Sequence, residues 1–580
     1  MPAGLPTLDR LFPIRWLTLA ACAAAAVAGL VLAHWPLAAI GLLGSALGAR
    51  DLCQTRRALL RNYPVIGHLR FLLEWVRPEI RQYFLESDNE AAPFSRQQRS
   101  LVYQRAKGEP DKRPFGTQLD VLAEGHEWLN HSMTPTALPD ADFRVTIGAD
   151  RPQPYAMSVF NVSAMSFGAL SAHAILALNL GARRGGFAHD TGEGSISRYH
   201  REHGGDLVWE IASGYFGCRD AHGRFDPARF AEQARSPQVK LIELKLSQGA
   251  KPGHGGMLPG PKVTAEIAAA RGVPVGQDCV SPASHAEFST PVGLLKFIER
   301  LRTLSGGKPT GFKFAVGHPW EWFAVVKAML LTGIVPDFIV VDGAEGGTGA
   351  APLEFADHVG APLQEGLLLV HNTLVGAGLR DRVTLGAAGR IVSAFDIARA
   401  MALGADYCNA ARGFMFALGC IQAQQCHSGH CPTGVATQDP RRQRALVVED
   451  KAQRVAQFHR QTLEALKELV QAAGLHHPGE IDASHLVHRN ARHEVRLLST
   501  LLPQVAPGAL LAAERGDAAW PHATFERYWP MAQAGSFAPR RGHPDAGPMP
   551  RERGMGPGAV AAEQSAPPSR LRDPVEDTTP

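Results

Sequence analysis

Two long apolar segments stand near the start of the chain. Trp16 to Ala33 is 18 residues without a charged side chain, and Trp35 to Ala49 is a second apolar stretch of 15 residues. An 18-residue helix is about 27 Å long, close to the roughly 30 Å hydrocarbon core of a bilayer. The arginines flanking the pair are Arg10, Arg15, Arg50, Arg56, Arg57 and Arg61. The pattern predicts a transmembrane helical hairpin over residues 1–52 with both ends in the cytoplasm. A cleaved signal peptide is the alternative, because alanine-rich sequence precedes His34.

After the apolar start, residues 53–150 mix short helical patterns with charge, which predicts a helical lead-in region. Its run LRFLLEWVRPEIRQYFLES is amphipathic, and we expect the helix to break at Pro78. Residues 441–532 carry helical periodicity, clearest from Arg444 to Ala473, and predict a helical C-terminal extension. Residues 533–580 are rich in Pro, Gly and charge, which predicts a disordered tail.

Between these regions, residues 151–440 alternate short β-rich runs with helical patterns such as Leu294–Leu304, Glu321–Leu331 and Ala394–Ala402. Eight strands alternating with helices over this length predict an α/β fold, a (β/α)8 TIM barrel, with a doubly wound open sheet as the alternative. The predicted strands are Met157–Val162, Phe187–Asp190, Leu241–Lys245, Gly276–Val280, Gly311–Val316, Phe338–Asp342, Val383–Gly386 and Asp406–Asn409.

Composition narrows the class of protein. The net charge of +4 is small, and no basic run with interleaved aromatic residues is present, so nucleic-acid binding is not expected. Eight cysteines in 580 residues do not form a disulfide framework, and five of them are scattered, which indicates a reducing compartment.

The other three cysteines, Cys420, Cys426 and Cys431, form a C-x5-C-x4-C run followed directly by Pro432. Thiolates at this spacing suit an iron–sulfur cluster, and a proline after the last cysteine recurs in such loops. Three ligands suit a three-iron cluster, or a four-iron cluster with an outside ligand. Zinc completed by His427 or His430, and cysteines without a metal, are the alternatives.

Glycine-rich turns follow three of the later strands, where a barrel carries its chemistry. The run DGAEGGTGAAP, residues 342–352, includes Gly346, Gly347 and Gly349, whose backbone N–H groups suit a phosphate. The turns GAAGR and NAARG supply Gly389, Ala411 and Arg412 as further candidate donors. Together they predict a phosphate site at the barrel mouth.

Several predicted apolar strands contain polar side chains or are followed directly by them. Lys245, Gln248 and Lys251 follow one strand, and Lys313 lies within the apolar run GFKFAV, where an ammonium group must pair or meet an anion. A cation there suits the reduced, anionic form of a flavin. The other candidate site residues are Glu193 and Arg198 in TGEGSISR, and Met165 and Ser166 in MSFGALS.

The run from Met165 to Gln438 resembles the FMN-binding domain of glutamate synthases, and the chain resembles the stand-alone members of that family. The matching pieces are MSFGALS, TGEG, SGYFG, KLSQGAKPGHGGMLPG, EGGTGAAPL and GCIQAQQCHSGHCPTGVATQ. The resemblance implies that residues 151–440 bind FMN and that Cys420, Cys426 and Cys431 hold a 3Fe-4S cluster in the loop 420–431. It places Lys313 beside the flavin, and Lys245, Gln248 and Lys251 along the flavin and 2-oxoglutarate.

The reaction implied by this resemblance is reductive. Electrons pass through the cluster to FMN, which gives hydride to 2-iminoglutarate, formed from 2-oxoglutarate and ammonia, to yield L-glutamate. Arg198 or Lys251 would hold the substrate carboxylates, with Arg201 an alternative to Arg198. Ferredoxin or a separate NAD(P)H reductase is the expected electron donor, because no G-x-G-x-x-G follows a strand.

Two departures from the family pattern shape the expectations. Position 2 is Pro where the larger enzymes carry a cysteine nucleophile, so we expect no glutamine hydrolysis in cis. GEGSIS stands where those enzymes usually read GEGGED, so a different amino or oxo acid is one alternative substrate. A membrane-bound electron-transfer subunit with a silent barrel is another alternative. The expected location is the cytoplasmic membrane, with the catalytic domain facing the cytoplasm.

Overall fold

The structure is a computed structural model that describes residues 14–55, 57–89 and 92–540. Contacts within the chain divide it into two compact units, and for the described residues the boundary along the sequence falls between residues 90 and 91. The predicted lead-in region 53–150 is therefore split between the two units. Residues 1–13, and the part of the predicted tail from 541 to 580, lie outside the described residues.

The described part of the N-terminal unit contains four α-helices, which we label α1 (Leu17–Val31), α2 (Trp35–Cys53), α3 (Ala58–Asn62) and α4 (Gly67–Ile80). A short 3-10 turn, Ile14–Trp16, precedes α1, and a π-helical segment, Arg81–Leu85, continues from α4. The helix expected to break at Pro78 instead runs on to Ile80.

Helices α1 and α2 pack against each other in opposite directions, as the predicted hairpin requires. A Cβ atom at Gly29 would lie 2.3 Å from the backbone N of Ala38, and one at Gly41 would lie 2.2 Å from that of Ala26, so the helices approach at glycine. By length and composition α2, with 19 residues, is long enough to cross a membrane, whereas α1 has 15. The sequence predicted that the first apolar segment is the longer one, whereas in the structure the second helix is longer.

The second unit is built on a closed barrel of eight parallel strands, which confirms the predicted TIM barrel. Each strand pairs with the next along the chain, and the last pairs with the first. The strands are β1 (Phe160–Val162), β2 (His189–Asp190), β3 (Leu207–Ile211), β4 (Val239–Lys245), β5 (Thr310–Phe314), β6 (Phe338–Asp342), β7 (Thr384–Ala388) and β8 (Tyr407–Ala410).

Two strand predictions were wrong. Strand β3 was missed, because the charged Glu210 interrupts its short apolar run, although all five of its residues are buried. The run Gly276–Val280 is not a barrel strand, since only Cys279–Val280 is extended and it pairs with Met257–Leu258 in a small hairpin. The predicted Met157–Val162 is also divided, because Tyr155–Ser158 pairs with Arg144–Ile147 before β1 begins.

Helices surround the barrel, and their buried side chains form one hydrophobic core with those of the strands. Side chains of the long helix Val448–Ala472 pack on Ala172–Gly185, where a Cβ atom at Gly181 would lie 2.5 Å from Val455. The helices between the strands are Ala172–Gly185, Arg198–Arg201, Pro227–Ala234, Ala265–Arg271, Pro291–Leu304, Pro319–Thr332, Leu353–His358, Leu363–Gly376 and Ala394–Ala402. The remaining helices of this unit are Arg96–Lys107, Arg412–Leu418, Pro440–Gln443, Val448–Ala472, Leu498–Leu501, Ala509–Glu514 and Ala523–Tyr528.

A three-stranded antiparallel sheet of Glu127–Leu129, Leu486–Arg489 and Val495–Leu497 lies outside the barrel. Ordered packing extends to residue 540, beyond the predicted start of the tail at residue 533. Ala534 and Phe537 contact the core, and the backbone N–H of Arg540 donates to the carbonyl of Met531.

Candidate active site

A pocket opens where the barrel strands end. It is lined by Glu193 after β2, Ser213 after β3, Lys245 and Gln248 at the end of β4, and His254 in the loop that follows. Because parallel strands all point their carboxyl ends to the same mouth, residues far apart in sequence meet here. Three of the predicted site residues, Glu193, Lys245 and Gln248, therefore share one pocket.

Lys245 is the central cation of this pocket. Its Nζ donates to Glu193 Oε2 at 3.0 Å and to Gln248 Oε1 at 2.7 Å, and lies 3.8 Å from Glu210 Oε1. Burial lowers the pKa of Lys245, but the carboxylates of Glu193 and Glu210 outweigh it, so its pKa is raised from the ordinary value. The side chain is therefore a charged ammonium at neutral pH.

Glu193 is the matching anion. Burial raises the pKa of its carboxyl, but Lys245, Arg271 and Lys251 together lower it below its usual value. The Nη2 of Arg271 donates to the carbonyl of Phe167 at 3.2 Å, while its buried Nε has no partner among the described residues. Glu193 is thus an ionised carboxylate influenced by three cations, of which Lys245 lines the pocket.

The loop after β4 is held by groups that do not themselves line the pocket. Lys251 is buried, and its Nζ donates to the carbonyl of Gly255 at 2.8 Å; burial lowers its pKa. His285 supports the strand end, since its Nε2–H donates to the carbonyl of Lys245 at 2.8 Å and its Nδ1 accepts from the Tyr215 hydroxyl at 3.1 Å. Burial lowers the pKa of His285 to about 4, so the ring stays neutral.

Lys313 lies below this pocket, inside the barrel. Its ammonium forms an ion pair with Glu210, lies 3.0 Å from Glu243 Oε1 and 3.9 Å from Asp190 Oδ2. Burial alone would lower the pKa of Lys313, but the three carboxylates raise it well above its ordinary value. The anion that a lysine in this strand requires is thus supplied by the protein itself, from β2, β3 and β4.

The carboxylates around Lys313 outnumber it. Burial, followed by the repulsion of neighbouring carboxylates, raises the pKa of Asp190 and Glu243. Their ligand atoms and one from Glu210 lie within 4.8 Å of one another, and they are the one such group of His, Cys, Asp and Glu in the described ranges. The Lys313 ammonium occupies the place that a metal cation would take.

The glycine-rich loop after β6 contacts three neighbouring loops. A Cβ atom at Gly249 would lie 1.8 Å from the carbonyl oxygen of Gly343, and one at Gly346 would lie 2.9 Å from the backbone N of Ala250. Gly347 lies against the guanidinium of Arg412, which donates to the carbonyl of Glu345. Absence of side chains at these glycines is what allows the loops to meet.

The predicted residues after β7, β8 and β1 take places around the same mouth. A Cβ atom at Gly389 would lie 3.3 Å from Glu345 Oε2, and Ala411 directly precedes Arg412. Burial lowers the pKa of Arg412 to about 10, which leaves it charged at neutral pH. Met165 and Ser166 lie against the turn at Gly192, where a Cβ atom would be 2.6 Å from the backbone N of Ser166.

The cysteine loop lies directly beside the glycine-rich loop. A Cβ atom at Gly349 would be 3.2 Å from both Cβ and the carbonyl carbon of Cys426. The loop follows the helix Arg412–Leu418, and the Tyr103 hydroxyl donates to the carbonyl of Cys420 at 2.6 Å. Nζ of Lys262 donates to the carbonyls of Cys426, at 3.2 Å, and His427, at 2.6 Å.

The three thiols differ in their surroundings. Burial raises the pKa of Cys420 to about 12 and also raises that of Cys426, with the nearby cysteines adding to both shifts. At Cys431 burial acts in the same direction, but backbone N–H groups of Ala436, Thr433 and Val435 favour the thiolate and lower its pKa. The pKa shifts of Cys420 and Cys426 both include a contribution from Cys431, the third thiol of the loop.

The zinc alternative requires His427 or His430 to lie close to the three thiols, and neither histidine does so. His427 and His430 are both exposed. Across residues 14–55, 57–89 and 92–540, no group of three Cys and His ligand atoms lies within 4.8 Å, the close spacing that a single metal ion needs. The candidate metal donors of this loop are therefore the three thiols of Cys420, Cys426 and Cys431.

Arg198, like Lys251 and Lys313, is a predicted site residue that does not line the pocket. Its side chain is 70% exposed and forms an ion pair with Glu266 and a hydrogen bond with the Tyr199 hydroxyl. Arg201 also points elsewhere, donating to Gln233 at 3.0 Å. Arg271, which the motif analysis did not single out, is the arginine whose charge lowers the pKa of Glu193, because the helix Ala265–Arg271 packs back onto the turn after β1.

The acidic residues Asp190, Glu210 and Glu243 were also missed. Glu210 and Glu243 lie inside largely apolar strands and Asp190 ends the short strand β2, where a lone acid gives no motif. Only a buried lysine in another strand signals that a partner must exist.

The chain is similar in sequence to known proteins. The family described as "Conserved region in glutamate synthase" matches residues 130–476. The chain is 37% identical over 497 residues to "Glutamate synthase large subunit-like protein YerD" of Bacillus subtilis, a match that covers 78% of this chain and 94% of that protein. It is 36% identical over 314 residues to "Archaeal-type glutamate synthase (NADPH)" of Thermotoga neapolitana, covering 54% of this chain and 59% of that protein.

Among solved structures, a mandelate oxidase variant matches with a TM-score of 0.37 and 14% sequence identity, covering 74% of this chain and 96% of that chain.

Proposed function

Because the chain belongs to the glutamate synthase family, we propose that this oxidoreductase uses FMN and an iron–sulfur cluster to form L-glutamate from 2-oxoglutarate and ammonia. The observation that carries the proposal is the arrangement at the barrel mouth. A pocket holding Lys245 and Glu193 opens beside a glycine-lined loop, and that loop touches the cysteine loop at Gly349 and Cys426.

The residues present fit FMN at this mouth. Gly346 and Gly347 form a cradle that a side chain would fill, and the charged guanidinium of Arg412 lies against Gly347, where a phosphate would be neutralised. The buried Oδ1 of Asn409, at the end of β8, has no partner among the described residues and is free to accept from a ligand. FMN bound there would supply the hydride that reduces an imine carbon to an amine.

The residues around the pocket suit a dicarboxylate substrate. Lys245 and Arg271 are cations in a largely buried setting, where pairing with a substrate carboxylate is strong. The Glu193 carboxylate is ionised and suits the positive charge of ammonia-derived nitrogen in an iminium substrate. Gln248 and His285 hold Lys245 in place rather than contacting substrate.

The three thiols of Cys420, Cys426 and Cys431 would hold the cluster, and a 3Fe-4S cluster matches their number. When bound, such a cluster would carry single electrons. Contact between Gly349 and Cys426 sets the cluster loop against the proposed flavin loop without an intervening element. An external donor, ferredoxin or a separate NAD(P)H reductase, is proposed to supply the electrons.

The direct test is anaerobic. Purified protein is assayed for flavin, iron and acid-labile sulfide, reduced with a chemical reductant, and then mixed with 2-oxoglutarate and ammonia. We expect reoxidation of the flavin with formation of L-glutamate only when both are present. Reduced flavin that stays reduced in this mixture would overturn the glutamate assignment.

A second candidate is reduction of a different oxo acid by the same machinery. Arg198 points away from the pocket and GEGSIS lacks the acidic pair usual in the larger enzymes, so the substrate contacts differ from the family pattern. Screening other oxo acids with ammonia in the same reoxidation assay separates the two. Faster reoxidation by another oxo acid than by 2-oxoglutarate would favour the second candidate.

We also propose that the α1–α2 hairpin anchors the protein in the cytoplasmic membrane with the barrel on the cytoplasmic side. Apolar side chains on both helices are exposed, including Val31, Trp35 and Leu43 at 70% or more. Membrane fractions washed with alkaline carbonate should retain the full-length protein, and protease added to intact cells should not cleave it. Release by carbonate would contradict the anchor.

A further inference from the structure

Helix α4 and the segment Arg81–Leu85 carry an apolar face that the described residues leave open. Leu69, Leu72, Leu73 and Tyr83 are 49%, 53%, 54% and 56% exposed, and Ile80 is 36% exposed. Their spacing of three, four and seven residues puts them on one side of the helix. Contiguous apolar surface of this kind marks a site of interaction with another molecule or with a membrane.

The side of α4 next to this apolar face is polar and largely basic, and its arginines line one pocket together with Leu73 and Ile80. Arg70, Glu74, Arg77 and Arg81 recur at helical spacing, and Nε of Arg70 donates to Glu74 Oε1 at 2.9 Å. From Arg50 to Leu85 the sequence holds seven arginines, whereas its acidic residues are Asp51, Glu74 and Glu79. An apolar face beside a cationic one is the pattern of a helix that lies in the interface of an anionic membrane.

Hydrogen bonds fix where α4 begins. Asp51, in the last turn of α2, accepts from the backbone N–H of Val65 at 2.9 Å and lies 2.9 Å from Nε2 of His68. The Thr18 hydroxyl, in the first turn of α1, donates to the carbonyl of Pro64 at 2.8 Å. The start of α4 is thus tied to the open end of the hairpin, where α1 begins and α2 ends.

We propose that α4 with Arg81–Leu85 lies in the headgroup layer of the bilayer, its apolar face toward the acyl chains and its arginines toward anionic phosphates. The inference rests on the proposed membrane anchor, because a hairpin in the bilayer puts its open end, and hence α4, at the membrane surface. Pairing with a second copy is disfavoured, since it would bring together two flanks on which Arg70, Arg77 and Arg81 outnumber Glu74.

The test uses full-length protein with its cofactors in vesicles of phosphatidylcholine and phosphatidylglycerol. A photoreactive benzophenone amino acid replaces Leu72 in one variant and Glu74, on the polar side, in the matched control. Irradiation at position 72 should give lipid adducts, detected by mass, at least tenfold above position 74. Vesicles of phosphatidylcholine alone should lower the yield severalfold.

The outcomes separate this inference from the anchor. Adducts at position 72 to a second copy, to the barrel unit, or to nothing would overturn the interfacial helix, as would equal yields at positions 72 and 74. Equal yields with and without phosphatidylglycerol would overturn the part assigned to the arginines. Carbonate extraction reports on the hairpin by itself, so release of the protein would remove the anchor whatever the cross-linking shows.

Discussion

Lys313 Nζ lies 3.0 Å from Glu243 Oε1 inside the barrel, and neither side chain is more than 4% exposed. The two residues come from neighbouring strands, β5 and β4, and Glu210 and Asp190 complete the set around the ammonium. The Lys313 ammonium holds together buried carboxylates that would otherwise repel one another, and the Lys245 ammonium lies 3.8 Å from Glu210. Loss of the Lys313 ammonium should therefore destabilise the whole barrel.

Lys313→Met should lower the free energy of unfolding by about 3–5 kcal/mol, because it leaves buried carboxylates without a cation. Urea unfolding measures the change. Lys112→Met is the matched control, since Lys112 is 75% exposed and forms only a long surface pair with Glu468, and we expect no measurable effect. A loss no larger than that of the control would contradict a stabilising role for Lys313.

The same variant should become less stable relative to wild type as pH rises. Lys313 lowers the pKa of Glu243 and Asp190 against burial, so its removal raises both further above their values in the unfolded chain. The folded state then holds more protons than the unfolded state above about pH 4, and its stability falls with rising pH. Unfolding at pH 5 and pH 8 should show the larger deficit at pH 8; equal deficits would refute this explanation.

Glu193→Gln should lower kcat/KM for the oxo acid at least about tenfold, as expected for a lost charged contact in a buried pocket. It should also move the basic limb of the pH–rate profile to lower pH, because Glu193 helps to raise the pKa of Lys245. Glu266→Gln is the control, since Glu266 pairs with Arg198 outside the pocket. Unchanged kinetics in Glu193→Gln would remove Glu193 from the site.

Cys426→Ser should abolish the cluster while the flavin stays bound, because Cys426 belongs to the loop beside the cradle and not to the cradle itself. Iron and sulfide analysis, with flavin absorbance on the same sample, reports both. The controls are Cys53→Ser, which is exposed in the other unit, and Cys408→Ser, which is buried in β8. Full iron in Cys426→Ser, or about one zinc per chain in the wild type, would contradict a cluster on these cysteines.

Gly249→Ala should release the flavin. A Cβ atom there would lie 1.8 Å from the carbonyl oxygen of Gly343, so the loops after β4 and β6 would be forced apart. The flavin-to-protein ratio after gel filtration measures the loss, and we expect it to fall severalfold. At Gly535 a Cβ atom meets nothing within 4 Å, so Gly535→Ala should retain flavin as wild type does.

Much of the architecture is readable from local pattern. Alternating strand and helix signals predicted the barrel, and polar residues at strand ends predicted that Glu193, Lys245 and Gln248 would meet, because parallel strands in a barrel share one mouth. The same logic failed for Leu207–Ile211, whose Glu210 is buried only because Lys313 faces it across the barrel. Glu210 and Lys313 are 103 residues apart in sequence, so neither strand by itself indicates that the two side chains form an ion pair.

The cysteine spacing, the glycine-rich turns and the order of strands and helices are determined by the sequence itself, since each depends on neighbours along the chain. The tertiary structure decided the rest: which loop the cysteine loop contacts, which arginine lowers the pKa of Glu193, and which carboxylates pair with Lys313. Arg198 stands five residues from Glu193 yet turns to the surface, whereas Arg271 arrives from a distant helix. Side-chain direction depends on how elements pack in three dimensions, and the local pattern carries no record of that packing.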